Sequence, residues 1–123
     1  MKNLVLVFFG GGFGSIVRYL VVRYLNDAPT GFPLGTFAVN ILGSLIIGVI
    51  LGLATKTDTL TQSQVIFLAT GFCGGFTTFS AYSFENQMLI KNEAFGVFAF
   101  YSIGSFIIGF LAVFLGVFLA KII

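Results

Sequence analysis

Gly71-Phe72-Cys73-Gly74-Gly75-Phe76-Thr77-Thr78-Phe79-Ser80 lies at the centre of a run of 26 uncharged residues bounded by Asp58 and Glu85. A helix needs ~20 apolar residues to cross the hydrocarbon of a bilayer, so the run holds one crossing and little more. Its middle is a poor continuous helix, because two adjacent glycines are followed by two β-branched threonines. Irregular backbone at membrane depth is tolerated only where protein or a water-filled cavity surrounds it. Two readings follow. Either the third helix is broken, with freed carbonyls that suit a cation and freed N–H groups that suit an anion, or it is a glycine-softened helix used for packing.

The rest of the chain repeats this ruling by charge. Asp27 and Lys56 enclose 28 uncharged residues, Glu93 and Lys121 enclose 27, and an apolar run from Asn3 to Leu25 precedes them. The sequence therefore predicts an all-α membrane protein with one four-helix transmembrane domain over 1–123 and helices near 3–25, 33–54, 62–91 and 94–120. Turns are expected at Asn26-Asp27-Ala28-Pro29-Thr30-Gly31, at Lys56-Thr57-Asp58-Thr59 and at Lys91-Asn92-Glu93. Pro33 suits the first turn of the second helix. The apolar start continues past Ser15 without an Ala-x-Ala cleavage site, so it reads as a span and not as a leader. Strict apolar/polar alternation is missing, which argues against a β-barrel.

Composition excludes most other classes. Of the 123 residues, 58% are hydrophobic and 8% charged, with a mean hydropathy of +1.09; soluble domains carry roughly 25% charged residues. One cysteine, no histidine and four carboxylates make a disulfide scaffold or a zinc or haem centre improbable. Six scattered Lys and Arg leave no nucleic-acid footprint. The partner in every case is membrane lipid.

Orientation is nearly unbiased. Lys2, Lys56 and Lys121 fall on one side, and Arg23 and Lys91, with Arg18 deeper, on the other. A short chain can sample the positive-inside rule noisily, or the protein can insert both ways and pair as an antiparallel dimer. Small-xxx-small spacings among Gly10, Gly14, Gly43, Gly48, Gly52, Gly71 and Gly75 permit close helix approach without naming a partner.

Polar groups within the spans carry the functional signal. Thr36, Asn40 and Ser44 recur at i, i+4, i+8 on the second helix, and Tyr101, Ser105 and Gly109 on the fourth, each set on one face. Such groups either hydrogen-bond between helices or line a polar path. Phe79 and Tyr82 are three residues apart and can share a face, where positive ring edges attract an anion without trapping it. Phe106, Phe110, Phe114 and Phe118 form a lipid or packing stripe. Arg18 either snorkels to the interface or acts as a vestibule charge that concentrates anions. Asp27 and Asp58 are expected in loops and Glu85 and Glu93 beside the third loop, so no acid is expected mid-span, which argues against proton coupling.

Gly11-Gly12-Phe13-Gly14-Ser15-Ile16-Val17-Arg18-Tyr19, Gly35-Thr36-Phe37-Ala38-Val39-Asn40-Ile41-Leu42-Gly43-Ser44 and the Gly71–Ser80 stretch together resemble the Fluc/CrcB fluoride channels of microbial membranes. The resemblance covers nearly the whole chain. It implies an antiparallel dual-topology homodimer whose two pores export toxic fluoride passively from the cytoplasm across the bacterial inner membrane, without enzymatic chemistry. It also implies a structural, untransported Na⁺ at the dimer centre, held by the backbone carbonyls of Gly74 and Thr77. The family's pore positions fall on Asn40, Phe79, Tyr82, Tyr101 and Ser105, with Thr36 and Ser80 as neighbours and Arg18 at the vestibule. Where the family commonly continues Thr-Phe after Phe79-Ser80, this chain has Ala81-Tyr82, and the added hydroxyl can donate to an anion or block its path. Gly109 shortens the possible polar track.

Two other classes stand beside this one. A small dual-topology multidrug exporter should carry an acid in its first helix, and residues 3–17 contain none. A non-transporting membrane subunit would leave Asn40 and the third-helix break free to mutate without loss of ion flux.

Overall fold

The computed structural model describes residues 1–26, 31–56 and 59–123, which are helical with short connections and contain no strand among the described residues. The elements are α1 (Lys2–Leu25), α2 (Leu34–Ala54), α3 (Gln62–Val65), a π-helical segment (Ile66–Cys73), α4 (Gly74–Phe76), α5 (Phe79–Lys91) and α6 (Phe95–Ile122). Four stretches among the described residues are long and apolar enough to cross a membrane: Lys2–Leu25, Leu34–Ala54, Gln62–Lys91 and Phe95–Ile122. The centres of two expected turns, Asp27–Thr30 and Thr57-Asp58, lie outside the described residues, as do the expected loop positions of Asp27 and Asp58.

Local chemistry sets the ends of these elements. Pro33 stands one residue ahead of α2, as its N-cap. The Asn26 side chain closes α1 onto α2, its Oδ1 accepting the Gly35 N–H at 2.6 Å. Thr61 and Gln64 form a reciprocal capping box at the start of α3. Between α5 and α6 the chain reverses through Glu93 at φ 57°. The Ala94 N–H returns to the Leu89 carbonyl at 2.9 Å and the Glu93 N–H to Ile90 at 3.0 Å, a Schellman closure with glutamate in the left-handed position.

Backbone approach, more than side-chain volume, packs the bundle. On one side α1 lies against the π-helical segment: a Cβ on Gly10 would stand 2.5 Å from the Phe67 carbonyl oxygen and 3.0 Å from the Gly71 Cα. On the other, Gly48 of α2 and Gly116 of α6 face each other's backbone. Close contact of this kind is what drives association where lipid tails are as apolar as leucine. The large apolar side chains turn outward, Phe106, Phe110, Phe114 and Phe118 among them. The buried interior is small: Val39, Ile50, Ala69, Cys73, Phe76, Leu89, Tyr101 and a few small residues.

Candidate functional site

The third span changes character four times. Its π-helical turns run from Ile66 to Cys73, and α4 carries Gly74 and Gly75 in helical geometry. The extended residues are the threonines: Thr77 at φ −86°, ψ 158° and Thr78 at φ −151°, ψ 118°. Branching at Cβ favours this extended backbone, and Gly75 serves approach instead, lying against the Gly11 backbone.

Side chains from two other helices hold the extended pair. Asn40 of α2 grips the Thr78 peptide on both edges, its Oδ1 accepting the Thr78 N–H at 2.8 Å and its Nδ2 donating to the Thr78 carbonyl at 3.1 Å. Arg18 of α1 reaches inward and donates from Nε to the Gly75 carbonyl at 2.9 Å, joined by a long bond from Ser15 at 3.5 Å. The Thr78 hydroxyl caps α5 by accepting the Ala81 N–H at 3.2 Å. Each of these donors and acceptors replaces part of what the backbone loses where Thr77 and Thr78 leave helical geometry, as buried backbone groups require.

Beside the interruption is an open-sided recess of about 480 Å³ lined by Asn40, Gly43, Ser44, Gly74, Thr77, Thr78, Phe79, Tyr82 and Ser105, with apolar neighbours. The Ser105 hydroxyl is buried there without a hydrogen-bond partner among the described residues. Phe79 and Tyr82 are in contact, ring centroids 5.8 Å apart, and Phe79 is 79% exposed on the open side. The Tyr82 hydroxyl is committed to the Ser102 carbonyl, donating to it at 3.1 Å. Gly109 lies near Ser44, whose Oγ would be 3.6 Å from a Cβ there.

Thr36 and Tyr101 belong to a different cluster. Both are 0% exposed, and both donate to Glu85, Thr36 to Oε1 and Tyr101 to Oε2, each at 2.7 Å. Glu85 stands in α5, inside the Gln62–Lys91 stretch and toward its loop end, where the expected helix over 62–91 has it. The signal available in sequence was the polar pair on the facing helices, Thr36 and Tyr101, but not that the two hydroxyls meet on this carboxylate. Arg18 and Thr36 also line a smaller recess of about 320 Å³ with Ser15, Tyr19 and Arg23. Ser80 lies outside both recesses, exposed, its Oγ 3.3 Å from the Thr78 hydroxyl.

Four helices long and apolar enough to cross a membrane, with polar side chains meeting between them, define a small multi-pass membrane protein. The family model described as "CrcB-like protein, Camphor Resistance (CrcB)" matches residues 5–117, and the chain belongs to this family. It is 48% identical over 122 residues to a protein of Gloeothece citriformis, covering 98% of each chain. To a Chlorobium luteolum protein it is 44% identical over 119 residues, covering 97% of this chain and 92% of the relative. To one from Phocaeicola vulgatus it is 43% identical over 122 residues, covering 98% and 100%. Each of these relatives is named "Fluoride-specific ion channel FluC".

Proposed function

We propose that this chain forms a fluoride-selective channel of the bacterial inner membrane, an antiparallel dual-topology homodimer with two pores that releases cytoplasmic fluoride passively. The observation that carries the reading is the partnerless buried hydroxyl of Ser105 in a recess bordered by Asn40, Phe79 and Tyr82, in a chain nearly half identical to named fluoride channels. Fluoride is small and strongly hydrated, so a selective path replaces its water with donors and positive ring edges while binding weakly enough for exit. Ser105 offers a free O–H, and Asn40 has one N–H of its amide left beyond its bond to Thr78. The resemblance implies that Thr36 and Tyr101 lie along the path as well, although they meet on Glu85 outside this recess, with Ser80 as a neighbour and Arg18 as the vestibule charge. Conduction makes and breaks no covalent bond.

The dimer reading draws on the open side of the recess, whose lining residues Gly74 and Phe79 are both exposed. A second, inverted copy covering that side would bring two interrupted spans face to face, and the near-neutral charge bias permits both insertions. The carbonyls of Gly74 and Thr77 suit a central Na⁺. The Thr78 N–H, four residues after Gly74, is taken by Asn40, and the Ala81 N–H, four after Thr77, is taken by the Thr78 hydroxyl. A bound Na⁺ supplies positive potential that compensates the scarcity of basic groups along the path.

Efflux from liposomes loaded with fluoride or chloride, with Na⁺ present, tests the function. Fast fluoride release with chloride retained, abolished by Asn40→Asp and by Phe79→Ile, is the expected result. Folded, dimeric protein that releases no fluoride overturns the proposal.

A further inference from the structure

In a continuous helix, the N–H of residue i+4 closes onto the carbonyl of residue i. For Gly74 that donor is Thr78 and for Thr77 it is Ala81. Neither bond forms. The Thr78 N–H donates to Asn40 Oδ1 at 2.8 Å, and the Ala81 N–H donates to Thr78 Oγ1 at 3.2 Å. Two side chains, from two different spans, intercept the two donors that would otherwise occupy the two carbonyls. Thr78 is itself buried, so its N–H cannot turn to solvent once released from Asn40.

We infer that Asn40 and Thr78 are positioning residues for the cation site, holding the Gly74 and Thr77 carbonyls open by diverting the N–H groups that would close on them. This rests on the Na⁺ reading above. It gives Asn40 a second duty distinct from lining the anion path, because its Oδ1 serves the carbonyl side while its remaining N–H faces the recess. It also gives the Thr78 hydroxyl a duty beyond an ordinary helix cap, whose effect would be on stability alone. Because the peptide is gripped on both edges, the Thr78 carbonyl is held as firmly as its N–H, and the strand-like turn cannot relax into helix while Asn40 stays in place.

The test is sodium binding, not conduction. Purified protein in detergent is titrated with NaCl at constant ionic strength, following both equilibrium binding of radioactive Na⁺ and the midpoint of thermal unfolding. The wild type is expected to bind Na⁺ and to be stabilised by it. In Asn40→Leu and in Thr78→Val a backbone hydrogen bond competes for each carbonyl, and half-saturating Na⁺ should rise at least about tenfold. Thr78→Ser retains the cap and should stay within about twofold of the wild type. The two disruptive substitutions sit on different spans, and Thr78→Val conserves shape, so a folding failure in one leaves the other to decide. Wild-type affinity in either folded disruptive variant overturns the inference, because loss of stability without loss of sodium response is what a plain cap or packing residue gives. A wild type that neither binds nor responds to Na⁺ also overturns it. If that protein still conducts fluoride, the channel reading stands and the cation site alone falls.

Discussion

Gly43→Ala tests how the second span seats the interrupted one. A Cβ at Gly43 would collide with the Thr77 Cγ2 methyl, and would stand 3.3 Å from Phe76 Cδ1 and 3.7 Å from the Thr77 Cβ. The obstacle is one methyl on a short side chain fixed by its hydroxyl, which donates to the Cys73 carbonyl at 2.9 Å. That methyl cannot swing aside without breaking the bond, so α2 has to retreat from the extended pair. Because α2 itself has to move, the overpacking falls in the upper part of the usual range, about 2–3 kcal/mol, and the helix preference of alanine over glycine returns about 1 kcal/mol, for a net loss near 1–2 kcal/mol. Thr77→Ser removes the offending methyl, keeps the hydroxyl, and by itself costs about 1 kcal/mol for the lost buried group. Independent effects would leave the double variant about 2–3 kcal/mol down. A methyl moved from Thr77 to residue 43 should instead leave it within about 1 kcal/mol of the wild type, a favourable coupling of about 1–2 kcal/mol. Unfolding in mixed micelles with rising denaturing detergent measures the four stabilities, and fluoride efflux should fall in Gly43→Ala and return in the double variant. Additivity to within about 0.5 kcal/mol would refute the argument, because it would mean the two groups do not meet.

Three further outcomes follow from single features. Tyr82→Phe removes a hydroxyl already committed to the Ser102 carbonyl at 3.1 Å; stability should drop by about 1 kcal/mol while fluoride selectivity is unchanged, and altered selectivity would place that hydroxyl in the path. Ser105→Ala deletes a buried hydroxyl that has no partner, so the folded protein should be no less stable and fluoride efflux should slow; a loss of more than about 1 kcal/mol would mean the hydroxyl is hydrogen-bonded after all. Glu93→Gly should stabilise the protein by about 1 kcal/mol in the same unfolding assay, because φ 57° at that turn suits glycine better than any side chain; an unchanged or lower stability would argue against the left-handed closure.

Much of the candidate site was legible before any coordinates. Asn40, Phe79, Tyr82 and Ser105 were singled out by polar or aromatic spacing, and they line one recess. Thr36 and Tyr101 share a face with Asn40 and Ser105 by helical period, yet they project to a separate cluster on Glu85. Periodicity assigns a side of a helix and not the neighbour it meets. Asn40 was readable as a path-lining or interhelical amide, but its grip on the Thr78 peptide was not, because bonds between residues 38 apart in sequence have no local signature. The same holds for Arg18, whose inward reach to Gly75 spans 57 positions.

The sequence alone settled that the chain spans a membrane as helices, since hydropathy and the spacing of charges against bilayer thickness are local quantities summed along the chain. It also marked Gly71–Ser80 as the place where a regular helix is strained, since backbone preference is a property of each residue. Which residues absorb that strain was decided only by the fold. Gly74 and Gly75 stay helical, Gly75 because α1 comes close enough to need it small, and Thr77 and Thr78 extend because Asn40 and the Thr78 hydroxyl satisfy the groups that extension frees. Tertiary structure had the last word there because a buried backbone donor or acceptor must find a partner, and here the partners come from elsewhere in the chain.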